Sequence, residues 1–83
     1  GLSDDKFFGA QYGDLTLSAK LQTSSSEQPA ILMVFDLAGH LLSEKAFGQG
    51  TERVLKESVP QQGVYIIKAV THDGEHTRKI IIK

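Results

Sequence analysis

The densest group of side chains able to do chemistry is His72, Asp73, Glu75 and His76. Imidazoles and carboxylates so close together are ligand types for a divalent cation, but a metal site also needs an outer layer of hydrogen bonds to orient each imidazole. These four surround Asp73-Gly74, the strongest short hairpin signal in the chain, and they are read as a solvated turn joining two antiparallel strands. Ser24, Ser25 and Ser26 present three hydroxyls, yet no base lies near them in sequence, and nucleophilic attack needs a base within hydrogen-bond reach. The stretch Gln22 to Gln28 is read as a polar loop. His40 is read as a surface residue opening a strand. The Gly48 to Gly50 segment is too short to cradle a phosphate, and no helix pattern follows it. These residues imply no catalytic centre, no metal and no cofactor, so the chain is not expected to be an enzyme.

The elements that must position these groups are strands. Glycine and proline break the chain every few residues, at Gly9, Gly13, Pro29, Gly39, Gly48, Gly50, Pro60, Gly63 and Gly74, which leaves little room for helices. Between the breaks the apolar residues often recur at every second position, most clearly Leu15, Leu17, Ala19 and Leu21. The strands expected are Lys6 to Ala10, Asp14 to Leu21, Ala30 to Phe35, Leu41 to Phe47, Glu52 to Glu57, Val64 to Thr71 and His76 to Lys83. Ala30 to Phe35 is continuously apolar, as for a central strand covered on both faces. Thr51 to Val59 is ambiguous, since Val54, Leu55, Ser58 and Val59 would also fit two turns of amphipathic helix. Asp36-Leu37-Ala38-Gly39 reads as a type I turn. Pro60 to Gly63 suits a crossover between sheets. The fold expected is an all-β, immunoglobulin-like antiparallel sandwich of about seven strands.

Size and charge narrow the function classes. The chain has 83 residues, 40% hydrophobic and 23% charged, with nine Lys plus Arg against ten Asp plus Glu and a net charge of −1. A domain of that length buries about 60 to 65% of its extended-chain surface, so one core must take nearly every apolar side chain. The near-neutral balance lacks the basic footprint of a nucleic-acid binder, and no nucleic-acid partner is expected. The longest apolar run stops at Asp36, far short of the roughly 20 residues a membrane helix requires. There is no cysteine, which removes thiol nucleophiles, disulfides and cysteine zinc sites. The sequence starts at Gly1 and carries no secretory signal pattern, so it is expected to be a piece of a longer protein with any export signal upstream.

Strand periodicity leaves apolar residues over. Ile80 and Ile82 point to one face of the final strand, and Lys79, Ile81 and Lys83 to the other. Ile31, Met33 and Phe35 likewise oppose Leu32 and Val34, and a sandwich core covers only one of those sets. The remainder is either covered by loops or offered to a partner. Arg78, Lys79 and Lys83 crowd the last six residues, whereas Asp4, Asp5 and Asp14 lie near the other end of the chain. A basic, apolar closing strand is either an edge guarded by lysines or a handle for a protein that reads that edge. Pairing of two such edges into a homodimer is a further expectation.

Three sequence blocks carry a family resemblance: Val34-Phe35-Asp36-Leu37-Ala38-Gly39, Gly63-Val64-Tyr65-Ile66-Ile67-Lys68, and Lys79-Ile80-Ile81-Ile82-Lys83. In this order and spacing, from Ile31 to Lys83, the chain resembles the C-terminal sorting domain of the type IX secretion system, the Por secretion tail of Bacteroidetes cargo proteins. It departs from the family pattern in having two residues, Gln61 and Gln62, between the proline and the glycine, and His40 where a basic residue is usual. The resemblance implies residues 1–5 as a linker remnant and 6–83 as the sorting domain.

It also implies a signal role without catalysis. The cargo would enter the periplasm by general export, and its folded tail would be recognised by the outer-membrane translocon and its shuttle proteins. A sortase would then cut in the linker and attach the cargo to the cell surface. Recognition is expected at Lys79, Ile80, Ile81, Ile82 and Lys83, with Lys79, Ile81 and Lys83 facing the reader. Asp36, Gly39, Gly63 and Tyr65 are expected to be structural. The competing reading is a fibronectin- or immunoglobulin-like adhesion or carbohydrate-binding module, which would bind through loops.

Overall fold

Among the described residues, seven strands follow one another without a helix: β1 (Lys6–Gly13), β2 (Thr16–Gln22), β3 (Ala30–Asp36), β4 (Leu41–Phe47), β5 (Glu52–Ser58), β6 (Gly63–Thr71) and β7 (Gly74–Ile82). They are seen in a computed structural model that describes residues 6–22, 29–48, 52–72 and 74–83. One sheet has the order β1-β2-β5 and the other β4-β3-β6-β7, with every pairing antiparallel. This is the expected immunoglobulin-like sandwich. The Pro60 to Gly63 connection carries the chain from the first sheet to the second, as its breakers suggested.

Alternation decides which side chains meet between the layers. Leu17, Ala19 and Leu21 of β2 face Leu32 and Val34 of β3 and Tyr65, Ile67 and Ala69 of β6 across one buried cluster. At about 25 cal/mol per Å² of apolar surface removed from water, this layer supplies most of the driving force. β3 is central in its sheet, but it is not covered on both faces: Ala30, Leu32 and Val34 are buried, while Ile31, Met33 and Phe35 are only half-buried. Two layers can cover one face of each sheet and no more.

The ambiguous segment is a strand. β5 pairs with β2 over its whole length, from Gln22 opposite Glu52 to Thr16 opposite Ser58. Its inward positions include Arg53 and Leu55, and the chain continues inward at Val59. Arg53 is buried, its Nη2 donating to the Gly48 carbonyl at 3.1 Å, so a charged residue occupies a core position and hides the period of two. β1 is longer than expected, running to Gly13 with an irregularity between Gln11 and Gly13.

The closing hairpin is displaced by one residue. Thr71 already pairs with Gly74, so the turn does not centre on Asp73-Gly74. Gly74 has φ +131, a conformation that side-chain-bearing residues rarely adopt, and this lets it start β7. Asp73 itself lies outside the described residues, as do Gly1 to Asp5 and the serine loop.

Candidate recognition site at the closing strand

The three sequence blocks converge at one end of the four-stranded sheet. Register places Asp36 of β3 opposite Tyr65 of β6, and Tyr65 opposite Ile80 of β7. One row further in, Phe35 meets Ile66 and Ile66 meets Lys79. Toward the sheet's end, Val64 lies opposite Ile81 and Gly63 opposite Ile82. Residues spread over 48 positions of sequence, 36 to 83, thereby share one edge of the domain. A strand order that puts β6 between β3 and β7 is what brings them together.

The closing pentapeptide is split by the pleat. Ile80 and Ile82 are buried in the core, whereas Ile81 is 62% exposed and Lys79 and Lys83 are also exposed. Full burial of an isoleucine stabilises by about 1.5 to 3 kcal/mol, so two residues anchor the strand while three remain on view.

At the Asp36 turn, the Gly39 N–H donates to the Asp36 carbonyl at 3.1 Å, closing the expected turn. Gly39 then takes φ +92, and the Asp36 N–H donates to the His40 carbonyl at 3.0 Å. This is a type I turn followed by a left-handed residue, a common three-residue hairpin loop. The Asp36 carboxylate accepts from the His40 N–H at 2.8 Å and contacts His40 Nδ1 at 3.0 Å. The His40 backbone N–H, more than any other partner, holds the Asp36 carboxyl below its ordinary range.

Tyr65 fixes the crossover. Its buried ring sits in the core and its hydroxyl donates to the Gln61 carbonyl at 2.6 Å, four residues upstream. That is the tyrosine-corner arrangement of immunoglobulin-like sandwiches. The Asp36 turn and this crossover flank an open depression of about 330 Å³ lined by Leu37, Gln61, Gln62 and Val64 among others. Of its lining groups, the Asp36 carboxylate and the Tyr65 hydroxyl are engaged in holding the two loops.

In the histidine-rich turn, the described residues Glu75 and His76 do not converge. Glu75 and His76 are neighbours on a strand, so they point to opposite faces. Glu75 reaches Lys68 Nζ at 3.2 Å, and the His76 ring stands edge-on to Phe7 at 6.2 Å. Among the described residues no three His, Asp or Glu side chains are placed to hold an ion.

Two contributors from β1 are not visible in the sequence reading. Gln11 Nε2 donates to the main-chain oxygen of Lys83 at 3.0 Å, and the Lys83 N–H donates to Gln11 Oε1 at 3.0 Å. A Cβ built on Gly9 would collide with the side-chain ends of Ile80 and Ile67, so the glycine lets the two sheets close together over the final strand. A glycine inside a strand pattern is a signal for such an approach. Nothing in the sequence marks Gln11. The same Gln11 amide also donates to the Gly13 carbonyl at 3.2 Å, at the end of β1.

Solved structures share this fold. A CopC from Methylosinus trichosporium OB3b is 21% identical, with 92% of this chain and 85% of that one covered and a TM-score of 0.67. A β-glucuronidase from Ruminococcus gnavus in complex with D-glucaro-δ-lactam is 22% identical, with 95% of this chain but only 15% of that one covered and a TM-score of 0.59. A superoxide reductase (neelaredoxin) from Ignicoccus hospitalis is 12% identical, covering 95% and 80%, with a TM-score of 0.55. At such identities the likeness is one of fold alone. No curated protein matches the sequence significantly. The family model of the secretion system C-terminal sorting domain matches residues 13–83, which include all three blocks assembled at this edge, and the chain belongs to that family, the Por secretion tail.

Proposed function

We propose that this domain is the address label of an upstream cargo, read at its closing strand by the type IX outer-membrane translocon and its shuttle proteins. A sortase then severs it in the preceding linker, leaving the cargo attached at the cell surface. The domain acts as ligand and substrate, with no catalysis of its own. The observation that supports this reading is the division of Lys79 to Lys83: two isoleucines anchor the strand, and Lys79, Ile81 and Lys83 remain available to a partner.

The test is a fusion of the domain to a reporter exported to the periplasm, expressed in a type IX-competent cell and in an otherwise identical strain lacking the translocon. The reporter is expected on the surface of the first and in the periplasm of the second. Periplasmic retention in both strains would refute the proposal. The adhesion or carbohydrate-binding alternative would draw on the exposed aromatics Phe8 and Tyr12 of β1. One face of Tyr12 is already occupied by Lys56 Nζ, 3.8 Å from the ring centroid.

A further inference from the structure

The outer faces of the two sheets differ at their central strands. On the three-stranded sheet the central strand turns Thr16, Ser18, Lys20 and Gln22 outward, with the exposed rings of Phe8 and Tyr12 beside them on β1. On the four-stranded sheet the central strands β3 and β6 turn Ile31, Met33, Phe35, Val64, Ile66 and Val70 outward, all of them half-buried. Among the described residues no strand packs across that face: the remaining strand contacts are within a sheet or across the core. A contiguous apolar face on a small domain marks an interaction surface.

Charge on this face is uneven. Lys68 is answered within the domain by Glu75 at 3.2 Å. Lys79 and Lys83 form no ion pair among the described residues and are exposed on the strand that carries Ile81. The apolar strip made by Phe35 beside Ile66 and Val64 beside Ile81 therefore ends in two exposed cations with no ion-pair partner among the described residues. Its complement is apolar surface bordered by carboxylates.

The backbone of the closing residue is not available on the same terms. Both main-chain groups of Lys83 are already bonded to the Gln11 amide, so a partner that added a strand there would first have to displace it. Side-chain recognition needs no such displacement.

Resting on the sorting reading above, we propose that the tail is read as a folded sheet face rather than as a linear peptide. Phe35, Val64, Ile66 and Ile81, edged by Lys79 and Lys83, dock on a protein of the secretion machinery that presents an apolar surface bordered by carboxylates. Three of the four apolar contacts come from strands other than β7, so the closing pentapeptide alone is an incomplete ligand.

The experiment compares reporter fusions carrying the unaltered domain, Val64→Thr with Ile66→Thr, Ile81→Thr alone, and Lys79→Glu with Lys83→Glu, all with the chain length intact. Threonine keeps β propensity and removes apolar contact. The purified variants are expected to melt within about 8 °C of the unaltered domain, the shift that about 1 kcal/mol produces at this size. Surface delivery is expected to fall at least about tenfold for each variant, as for loss of a central contact in an interface. Ile81→Thr serves as the apolar test should the double variant fail to fold. Full delivery of the folded apolar variants would overturn the composite face and leave the sorting reading standing. Full delivery of the charge-reversed pair would overturn the carboxylate-bordered partner. Failure of the unaltered domain to deliver would sink both readings. Flotation of the purified domain with phosphatidylethanolamine–phosphatidylglycerol vesicles, lost in Ile81→Thr, would make the occupant a membrane. Concentration-dependent sedimentation abolished by Ile66→Thr would make it a second copy. Either result overturns the proposal.

Discussion

The side-chain amide of Gln11 pairs with Lys83 as a strand would, donating to its main-chain oxygen and accepting from its N–H, each at 3.0 Å. The two residues are 72 positions apart and belong to different sheets. One glutamine thus continues the hydrogen bonding of β7 past its last paired residue and ties the closing strand to β1.

Removing that amide should loosen the end of the strand more than it unfolds the domain. Gln11→Ala loses three exposed hydrogen bonds, one to the Gly13 carbonyl and two to Lys83, each worth about 0.5 to 1.5 kcal/mol at most. A urea midpoint corresponding to a loss of about 1 kcal/mol is expected, with faster amide exchange at Lys83. Unchanged exchange at that amide would show that the clamp does not hold in solution.

Gly9 is the tight point of the same seam. Gly9→Val pushes a branched side chain into the space taken by Ile80 and Ile67, and overpacking of this kind costs about 1 to 3 kcal/mol. Ile80→Val in the same chain should recover part of the loss. Strict additivity of the two changes in a double-mutant cycle would contradict the contact.

The two faces of the pentapeptide should separate in mutagenesis. Ile82, 1% exposed, lies in the core, and Ile82→Ala is expected to cost about 2 to 5 kcal/mol. Ile81→Ala, at a 62% exposed position, should change stability by less than about 0.5 kcal/mol. Chemical denaturation of both variants checks the pleat directly. It also shows that deleting residues 80 to 83 would confuse misfolding with loss of recognition.

Tyr65→Phe keeps the buried ring and removes only the 2.6 Å hydrogen bond to the Gln61 carbonyl. That carbonyl lies at the crossover between sheets, so a loss of about 0.5 to 1.5 kcal/mol is expected, read from the denaturation midpoint. A neutral effect would mean that water replaces the hydroxyl at no cost.

Acid should weaken the Asp36 turn in a defined direction. The carboxyl is held below its ordinary value of 3.8, first by the His40 N–H, so the folded state releases the proton more readily than the unfolded chain. Its contribution is complete above the unfolded value and is lost as pH falls through the lower folded one. Carbon-13 titration of the carboxyl should give a midpoint below 3.8, and the stability of Asp36→Asn should fall less steeply with acid. A midpoint at or above 3.8 would remove the turn from the acid response.

How much of this was legible beforehand depends on the range of the interaction. The Asp36 to Gly39 turn, the existence of seven strands and the inward set of Ile80 and Ile82 follow from neighbours a few residues apart, through turn chemistry and the period of two. β5 was ambiguous because Arg53 stands at an inward position, where its guanidinium bonds the Gly48 carbonyl. The closing hairpin was misplaced by one residue because Gly74 serves as the first residue of a strand, paired with Thr71, instead of the second of a turn.

The sequence alone, through local sterics and alternation, determined that the chain makes short strands, where it turns, and that a basic apolar segment closes it. Only the tertiary structure decided the rest, because strand order is a long-range choice among pairings with similar local patterns. It set β6 between β3 and β7, aligned Asp36, Tyr65 and Ile80 in one row, and brought Gly9 and Gln11 of β1 against the final strand. It also left an apolar strip from β3 and β6 on the outer face of the four-stranded sheet, since a two-layer sandwich buries a single face of each.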